Sequence, residues 1–260
     1  MMKDKLNSRG SNDPAKGKIY LLPQLLTTAS LFSGFYAIIS AVNGRFFHSA
    51  VAIIIAGIFD GMDGRVARIT RTTSHFGMEY DSLCDLVSFG VAPALLAYQW
   101  TLQPYGRYGW LAAFLYVATT SLRLARFNTQ ASSGSGKTFV GLPCPAAAGM
   151  IATSILFCLF LEIKDSVKDV AMLILVYVLS YLMVSSCRYL SFKHPETTKA
   201  KTFQALVAMV LVIMVVATEP QVTLFIVGVI YVSSGPVSRI TGLLKKRGEK
   251  IKDKEERFNH

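Results

Sequence analysis

The chain has 260 residues, 52% of them hydrophobic, and carries a formal net charge of +11. Its apolar residues come in blocks of roughly 20, the length a helix needs to cross a bilayer core of about 30 Å, which excludes an ordinary soluble domain. The basic residues punctuate those blocks instead of forming one aromatic-rich patch, which argues against nucleic-acid binding.

The sequence predicts an all-α integral membrane protein with eight transmembrane helices, at 20–43, 47–68, 82–102, 107–127, 141–162, 168–187, 202–218 and 221–241. Each must be helical because no water is present in the bilayer to satisfy bare backbone. Residues 1–19 read as a flexible cytoplasmic tail and 20–243 as the transmembrane domain that carries the chemistry. Residues 244–260 read as a basic cytoplasmic tail drawn to anionic lipid heads. No removable signal peptide is evident, since the first apolar block is long enough to span. With both termini inside, 23 of the 27 Lys and Arg lie on the cytoplasmic side. The outer loops keep only Arg45, Arg107, Lys164 and Lys168, as the preference for positive charge inside requires.

In span 1, Thr27, Ser30 and Gly34 recur at helical spacing and mark an inward, close-packing face. Span 2 runs into DGMDGRVARIT, and Asp60 falls about 13 residues in. At about 1.5 Å per residue that is the inner part of the bilayer. The loop 71–80, RTTSHFGMEY, returns the chain, with Gly77 suited to a tight turn before span 3 opens on Asp81 and Asp85. The pairs Asp60/Asp63 and Asp81/Asp85 are spaced i, i+3 and i, i+4, so each shares a helix face. The topology places both pairs at one depth on antiparallel neighbours.

Span 4 closes with SLRLARFN, putting Arg123 and Arg126 at the inner face. The following loop contains GSGKT, but Ala131 stands where a phosphate-binding loop needs its first glycine, and no strand precedes it. Span 5 opens GLPCPAAAG. Span 6 ends VSSCRYLSFK, bringing Arg188 to the inner face, and spans 7 and 8 read as structural. Cys84, Cys144, Cys158 and Cys187 form no CxxC pair and read as buried free thiols.

Several carboxylates within a few ångströms repel one another unless a cation compensates. Aspartate oxygens are hard ligands, which points to Mg²⁺ or Mn²⁺, and four acids suffice for two ions. Gly61, Gly64 and Ala67 leave a small face on which a ligand can lie, and Arg68 offers a planar fork to phosphate. The layout suggests a diphosphate laid on metal, with a nucleotide against Gly64 and Ala67. Two other readings compete. The acids could pair with Arg65, Arg68 and Arg71, or they could line a cation transporter's pathway. The outer halves of the spans hold almost no acids, which counts against a pathway.

The string Asp60, Asp63, Gly64, Ala67, Arg68, Gly77, Asp81, Asp85 resembles the signature of the CDP-alcohol phosphatidyltransferase family, D-x2-D-G-x2-A-R-x8-G-x3-D-x3-D, at every spacing. The resemblance implies a six-helix catalytic core in an enzyme that moves a phosphatidyl group from a CDP-linked lipid to an alcohol and releases CMP. The stretches DLVSFGVAPA, RLARFN and GLPCPAAAG make the chain similar to the bacterial and archaeal members whose alcohol is L-serine. Sister members take glycerol 3-phosphate or inositol phosphate.

The resemblance further implies that Asp60 and Asp81 bridge two metal ions, Asp63 holds one, and Asp85 touches the other and acts as general base. It places the CDP-diacylglycerol contacts at Gly64, Arg68, Ser74 and Pro23, Gln24, Leu25 and Leu26, alongside Ala67 and Gly77. The chain departs from the pattern at Gln24 and Ser30, where relatives often have Asn. Arg123, Arg126 and Arg188 are candidates for a serine carboxylate or a lipid phosphate, with a role as positive-inside anchors the equal alternative for each. The resemblance also implies a homodimer in a bacterial or archaeal cytoplasmic membrane, its active site facing the cytoplasm.

Overall fold

The computed structural model describes residues 14–70, 75–132, 141–162, 165–185, 189 and 218–258, and among them there are helices and no strands. In chain order they are α1 (Pro14–Val42), α2 (Phe46–Thr70), α3 (His75–Asp85), α4 (Ala92–Ala97), α5 (Arg107–Ser132), α6 (Cys144–Phe160), α7 (Asp165–Val184) and α8 (Pro220–Phe258). α3 and α4 belong to one long rod. A π-type segment, Leu86–Val91, joins them, and a second, Tyr98–Leu102, extends α4 toward Tyr105.

Five stretches are long and apolar enough to cross a membrane: Leu22–Val42, Phe46–Val66, His75–Tyr105, Val167–Val184 and Pro220–Arg239. α5 and the shorter apolar α6 occupy the positions of two more predicted spans. The span expected at 202–218, apart from Thr218, lies outside the described residues, as does the GSGKT loop. Both tail boundaries differ from expectation. α1 starts at Pro14, inside the stretch read as a tail, and α8 runs on as helix through Phe258.

The distribution of side chains explains why this is a membrane fold. The interior is rich in small residues: Ala37, Ala41, Ala50, Ala52, Ala56, Ala92, Ala97, Ala147 and Ala148 are all buried. Large apolar side chains point outward, among them Phe32, Phe35, Ile58, Leu83, Tyr108, Phe114, Leu122, Tyr181 and Ile230. In water this arrangement would expose a large sticky surface. In hydrocarbon it costs little, because lipid is as apolar as leucine and helices associate through close packing and interhelical hydrogen bonds.

α1 is the pivot of the bundle. It packs along α2, and also against α3, α4 and the π-type segment between them. Its seam with α2 is sewn by hydroxyls. Ser30 donates to the Ala56 carbonyl at 3.0 Å, Ser33 to Ala52 at 2.8 Å, and Ser49 of α2 donates back to Ala37 at 2.8 Å. Each such bond in a membrane is worth about 0.6 kcal/mol, so they set register more than stability. The pairs 30/56, 33/52 and 37/49 step in opposite directions, which fixes the two helices as antiparallel. Extending the same register inward brings the Thr27 turn opposite the turn of Asp60 and Asp63.

The rod from His75 meets α1 equally closely. Ser88 donates to the Ser30 carbonyl at 3.1 Å. A Cβ on Gly34 would fall 2.6 Å from Ser88 Cα, so only glycine allows α1 this close. On the far side, α5 packs on the first π-type segment and on α7, and α6 packs on α2, α7 and α8. Gly141, at φ +88° before α6, is pressed against the Arg123 guanidinium and the Met183 and Ser185 carbonyls. Arg123 Nη1 donates to the Met183 carbonyl at 3.3 Å, and Leu142 N to that of Leu182 at 3.1 Å. These bonds clamp the entry of α6 to the end of α7.

Candidate active site

Asp60 and Asp63 sit one turn apart on α2, and Asp81 and Asp85 one turn apart on α3. A ligand oxygen from each of Asp60, Asp63 and Asp81 falls within 4.8 Å of the other two. Asp63 is buried, 5% exposed, and Asp60 and Asp81 are partly buried. The Asp85 carboxyl neighbours that of Asp60 and lies within the electrostatic reach of Asp81 and Asp63.

Two unit negative charges 4.8 Å apart repel by roughly 3 kcal/mol at an effective dielectric of 20, and this cluster holds three such pairs. The repulsion therefore calls for a positive charge. Among the described residues, the buried Oδ1 of Asp81 has no hydrogen-bond partner. A set of converging hard oxygens, one of them orphaned in a buried position, fits a divalent cation. Asp60, Asp63 and Asp81 are the residues able to hold it.

The surroundings orient these acids. Thr27 Oγ1 of α1 lies 2.7 Å from Asp63 Oδ2 and donates to it. The Gly64 N–H donates to the same carboxyl. At the mouth of α3, Tyr80 shares a hydrogen bond of 3.0 Å with Thr28 and stacks on Phe76 with ring centroids 6.0 Å apart. Asn128, near the end of α5, donates to Glu79 at 3.2 Å and accepts from Ser82 at 3.2 Å. These contacts explain the main local difference from expectation. The chain is already helical from His75, so Gly77 lies inside α3 and makes no tight turn. A helix pinned by Tyr80, Glu79 and Ser82 does not need one.

The other predicted residues divide into three groups. Pro23, Gln24, Leu25 and Leu26 lie on α1 in the turn before Thr27, with Pro23 buried and its carbonyl accepting from Thr27 at 3.1 Å. Gly64, Ala67 and Arg68 follow Asp63 along the last turns of α2. Ser74 and Arg188 lie outside the described residues. Of the arginines near the end of α5, Arg126 is exposed. Arg123 is half-buried and spends its guanidinium on the Met183 carbonyl and on Cys144, which itself senses the charges of Asp85 and Asp60. Arg123 is thus engaged in holding α5, α6 and α7 together. Cys84, Cys144 and Cys158 are free thiols, and Cys187 lies outside the described residues.

Residues 20–178 match the model of a family described as CDP-alcohol phosphatidyltransferase. The chain belongs to the CDP-alcohol phosphatidyltransferase family. The matched region runs from α1 well into α7 and contains the whole acid cluster. The chain is 39% identical over 175 residues to the CDP-diacylglycerol–serine O-phosphatidyltransferase of Helicobacter pylori, covering 67% of this chain and 74% of that protein. It is 38% identical over 173 residues to the enzyme of the same name from Bacillus subtilis, 66% of this chain and 91% of that one. It is 36% identical over 180 residues to the archaetidylserine synthase of Methanothermobacter thermautotrophicus, covering 68% and 73%.

Within this phosphatidyltransferase, sequence reasoning passed over two contributors. Thr27 drew attention only as part of a packing face, although a threonine in register with an intramembrane acid is a legible signal. Asn128 stood in the quoted string RLARFN, but no sequence rule pairs it with Glu79, 49 residues away.

Proposed function

We propose that this chain transfers the phosphatidyl group of CDP-diacylglycerol to the hydroxyl of L-serine, giving phosphatidylserine and CMP, at an active site that opens to the cytoplasm. The observation that carries this is the convergence of Asp60, Asp63 and Asp81 beside Asp85, in a chain whose relatives named for serine transfer include both bacterial and archaeal proteins. The bacterial and archaeal names differ in the lipid and agree on serine, which supports serine as the acceptor.

Asp60, Asp63, Asp81 and Asp85 form the ligand set for two ions of Mg²⁺ or Mn²⁺. Such ions, when bound, offset charge on the phosphoryl oxygens. The chain's own residues do the rest. Gly64 and Ala67 leave room for the nucleotide, Arg68 and Ser74 contact the diphosphate, and Pro23–Leu26 with Gly77 border the CDP group. Serine's hydroxyl is a weak nucleophile at neutral pH and needs a base within hydrogen-bond reach. We assign that base to Asp85, one turn of α3 beyond Asp81 and beside Asp60. As the serine oxygen bonds to phosphorus, Asp85 accepts the hydroxyl proton and the bond to CMP breaks. Arg126 and Arg188 are the better candidates for the serine carboxylate, because Arg123 is already committed to Met183 and Cys144. The enzyme acts as a homodimer.

Purified protein supplied with CDP-diacylglycerol, Mn²⁺ and labelled serine is expected to yield CMP and a labelled lipid in equal amounts. Labelled glycerol 3-phosphate or inositol phosphate in place of serine is expected to yield neither. Transfer to one of these, with serine inert, would refute the assignment of acceptor.

A further inference from the structure

Among the described residues, the acid cluster receives a hydrogen bond from a side chain that is neither acidic nor part of the signature string. Thr27 is buried on α1, 6% exposed, and its hydroxyl lies 2.7 Å from Asp63 Oδ2 and 3.1 Å from the Pro23 carbonyl. A threonine hydroxyl has one proton to donate. Inside a helix that proton ordinarily returns to the carbonyl four residues back, here Pro23. The shorter contact goes instead to a carboxylate, and bonds to charged acceptors are the shorter and stronger kind. The side chain's conformation is thus set by Asp63, 36 residues away on a different helix.

The seam around Thr27 makes the contact distinctive. Ser30 and Ser33 on the same face of α1 also donate across to α2, but to the backbone carbonyls of Ala56 and Ala52. Those bonds join helix to helix. The Thr27 bond joins a helix to a functional carboxyl. Asp63 also receives the Gly64 N–H. A carboxylate offers about four lone-pair sites, so two donors fix its rotation and leave capacity free toward Asp60 and Asp81.

We infer that Thr27 is a positioning residue for the metal site: its hydroxyl orients Asp63 so that the carboxylate presents oxygen toward the space shared with Asp60 and Asp81. The inference rests on the reading of that cluster as a cation site. Partners that orient a ligand in this way typically change metal affinity by about 10- to 100-fold when removed. Thr27 also ties the site to α1, the helix that packs on both acid-bearing helices.

The test uses the full chain in detergent, stripped with a chelator, and Mn²⁺ as probe, its binding read from loss of the free-ion electron paramagnetic resonance signal. Thr27→Val keeps shape and removes the hydroxyl. It is expected to weaken Mn²⁺ binding by about 10- to 100-fold. Thr27→Ser is expected to restore binding, and Ser33→Ala, which loses a seam bond of the other kind, to bind as the unaltered chain does. Transfer at saturating Mn²⁺ should fall by less than the affinity does. Thr27→Ala carries the same test if the valine variant does not fold. Unchanged Mn²⁺ binding in the variants lacking the hydroxyl would overturn the inference and leave the metal reading standing. Equal weakening in Ser33→Ala would overturn it by reducing Thr27 to ordinary packing. Failure of the unaltered chain to bind Mn²⁺ would remove the metal reading, and this inference with it.

Discussion

Replacing Gly34 by alanine probes how the two acid-bearing helices are brought together. The added Cβ would stand 2.6 Å from Ser88 Cα and 2.8 Å from Ser88 Cβ. Ordinary contact begins near 3.4 Å, so the helices must part by about 0.8 Å. The obstructing Cα belongs to the backbone of the π-type segment that continues α3, and no rotamer change relieves it. Trimming Ser88 to alanine would therefore rescue little. Overpacking of this kind costs about 1–3 kcal/mol. The functional effect follows from where the gap opens. α1 stays stitched to α2 through Ser30 and Ser33, so Asp60 and Asp63 move with it. Asp81 and Asp85 stay with the rod. Metal–ligand distances tolerate about 0.2 Å, so a parting of about 0.8 Å exceeds what one coordination sphere can span. Gly34→Ala is expected to fold with a lowered Tm in detergent and to bind Mn²⁺ at least about tenfold more weakly. Unchanged Tm together with unchanged Mn²⁺ affinity would refute the reasoning.

Three further outcomes are expected. Asp85→Asn should lower transfer by about 10²- to 10⁴-fold, the usual contribution of a general base, while CDP-diacylglycerol still binds. Normal turnover in that variant would remove Asp85 from the role. Chelation should stop transfer, and added Mg²⁺ or Mn²⁺ should restore it; activity that survives exhaustive chelation would remove the metal requirement. Arg123→Ala should cost about 1–3 kcal/mol of stability, because a carbonyl of Met183 and a buried thiol lose their donor, and should leave the apparent KM for serine unchanged. A selective rise in that KM at unchanged stability would instead assign Arg123 to the acceptor.

Much of this protein could be read from residue order. Blocks of apolar residues can only be helices in hydrocarbon, so the all-α class and the positions of the described spans followed from hydropathy alone. The acid pairs were equally legible, because i, i+3 and i, i+4 spacings hold on any helix. Gly77 was misread because glycine in a polar stretch suggests a turn, and only the long-range contacts of Tyr80, Glu79 and Ser82 show why that stretch is helical. Arg123 could equally have been an anchor or a ligand until Met183 and Cys144 were seen to occupy it.

By itself, then, the sequence determined the helices, the faces on which the four aspartates lie and the family, since all three depend on spacing along one chain. Only the tertiary structure decided which oxygens meet. Thr27 engages Asp63, Asp60 and Asp81 converge with it, and among the described residues Asp81 keeps a buried oxygen unpartnered, because α1 can approach Ser88 at Gly34 and draw both acid-bearing helices to itself. That approach depends on the absence of one methyl group at Gly34; local spacing marks the close-packing face, but not Ser88, 54 positions away, as what packs there.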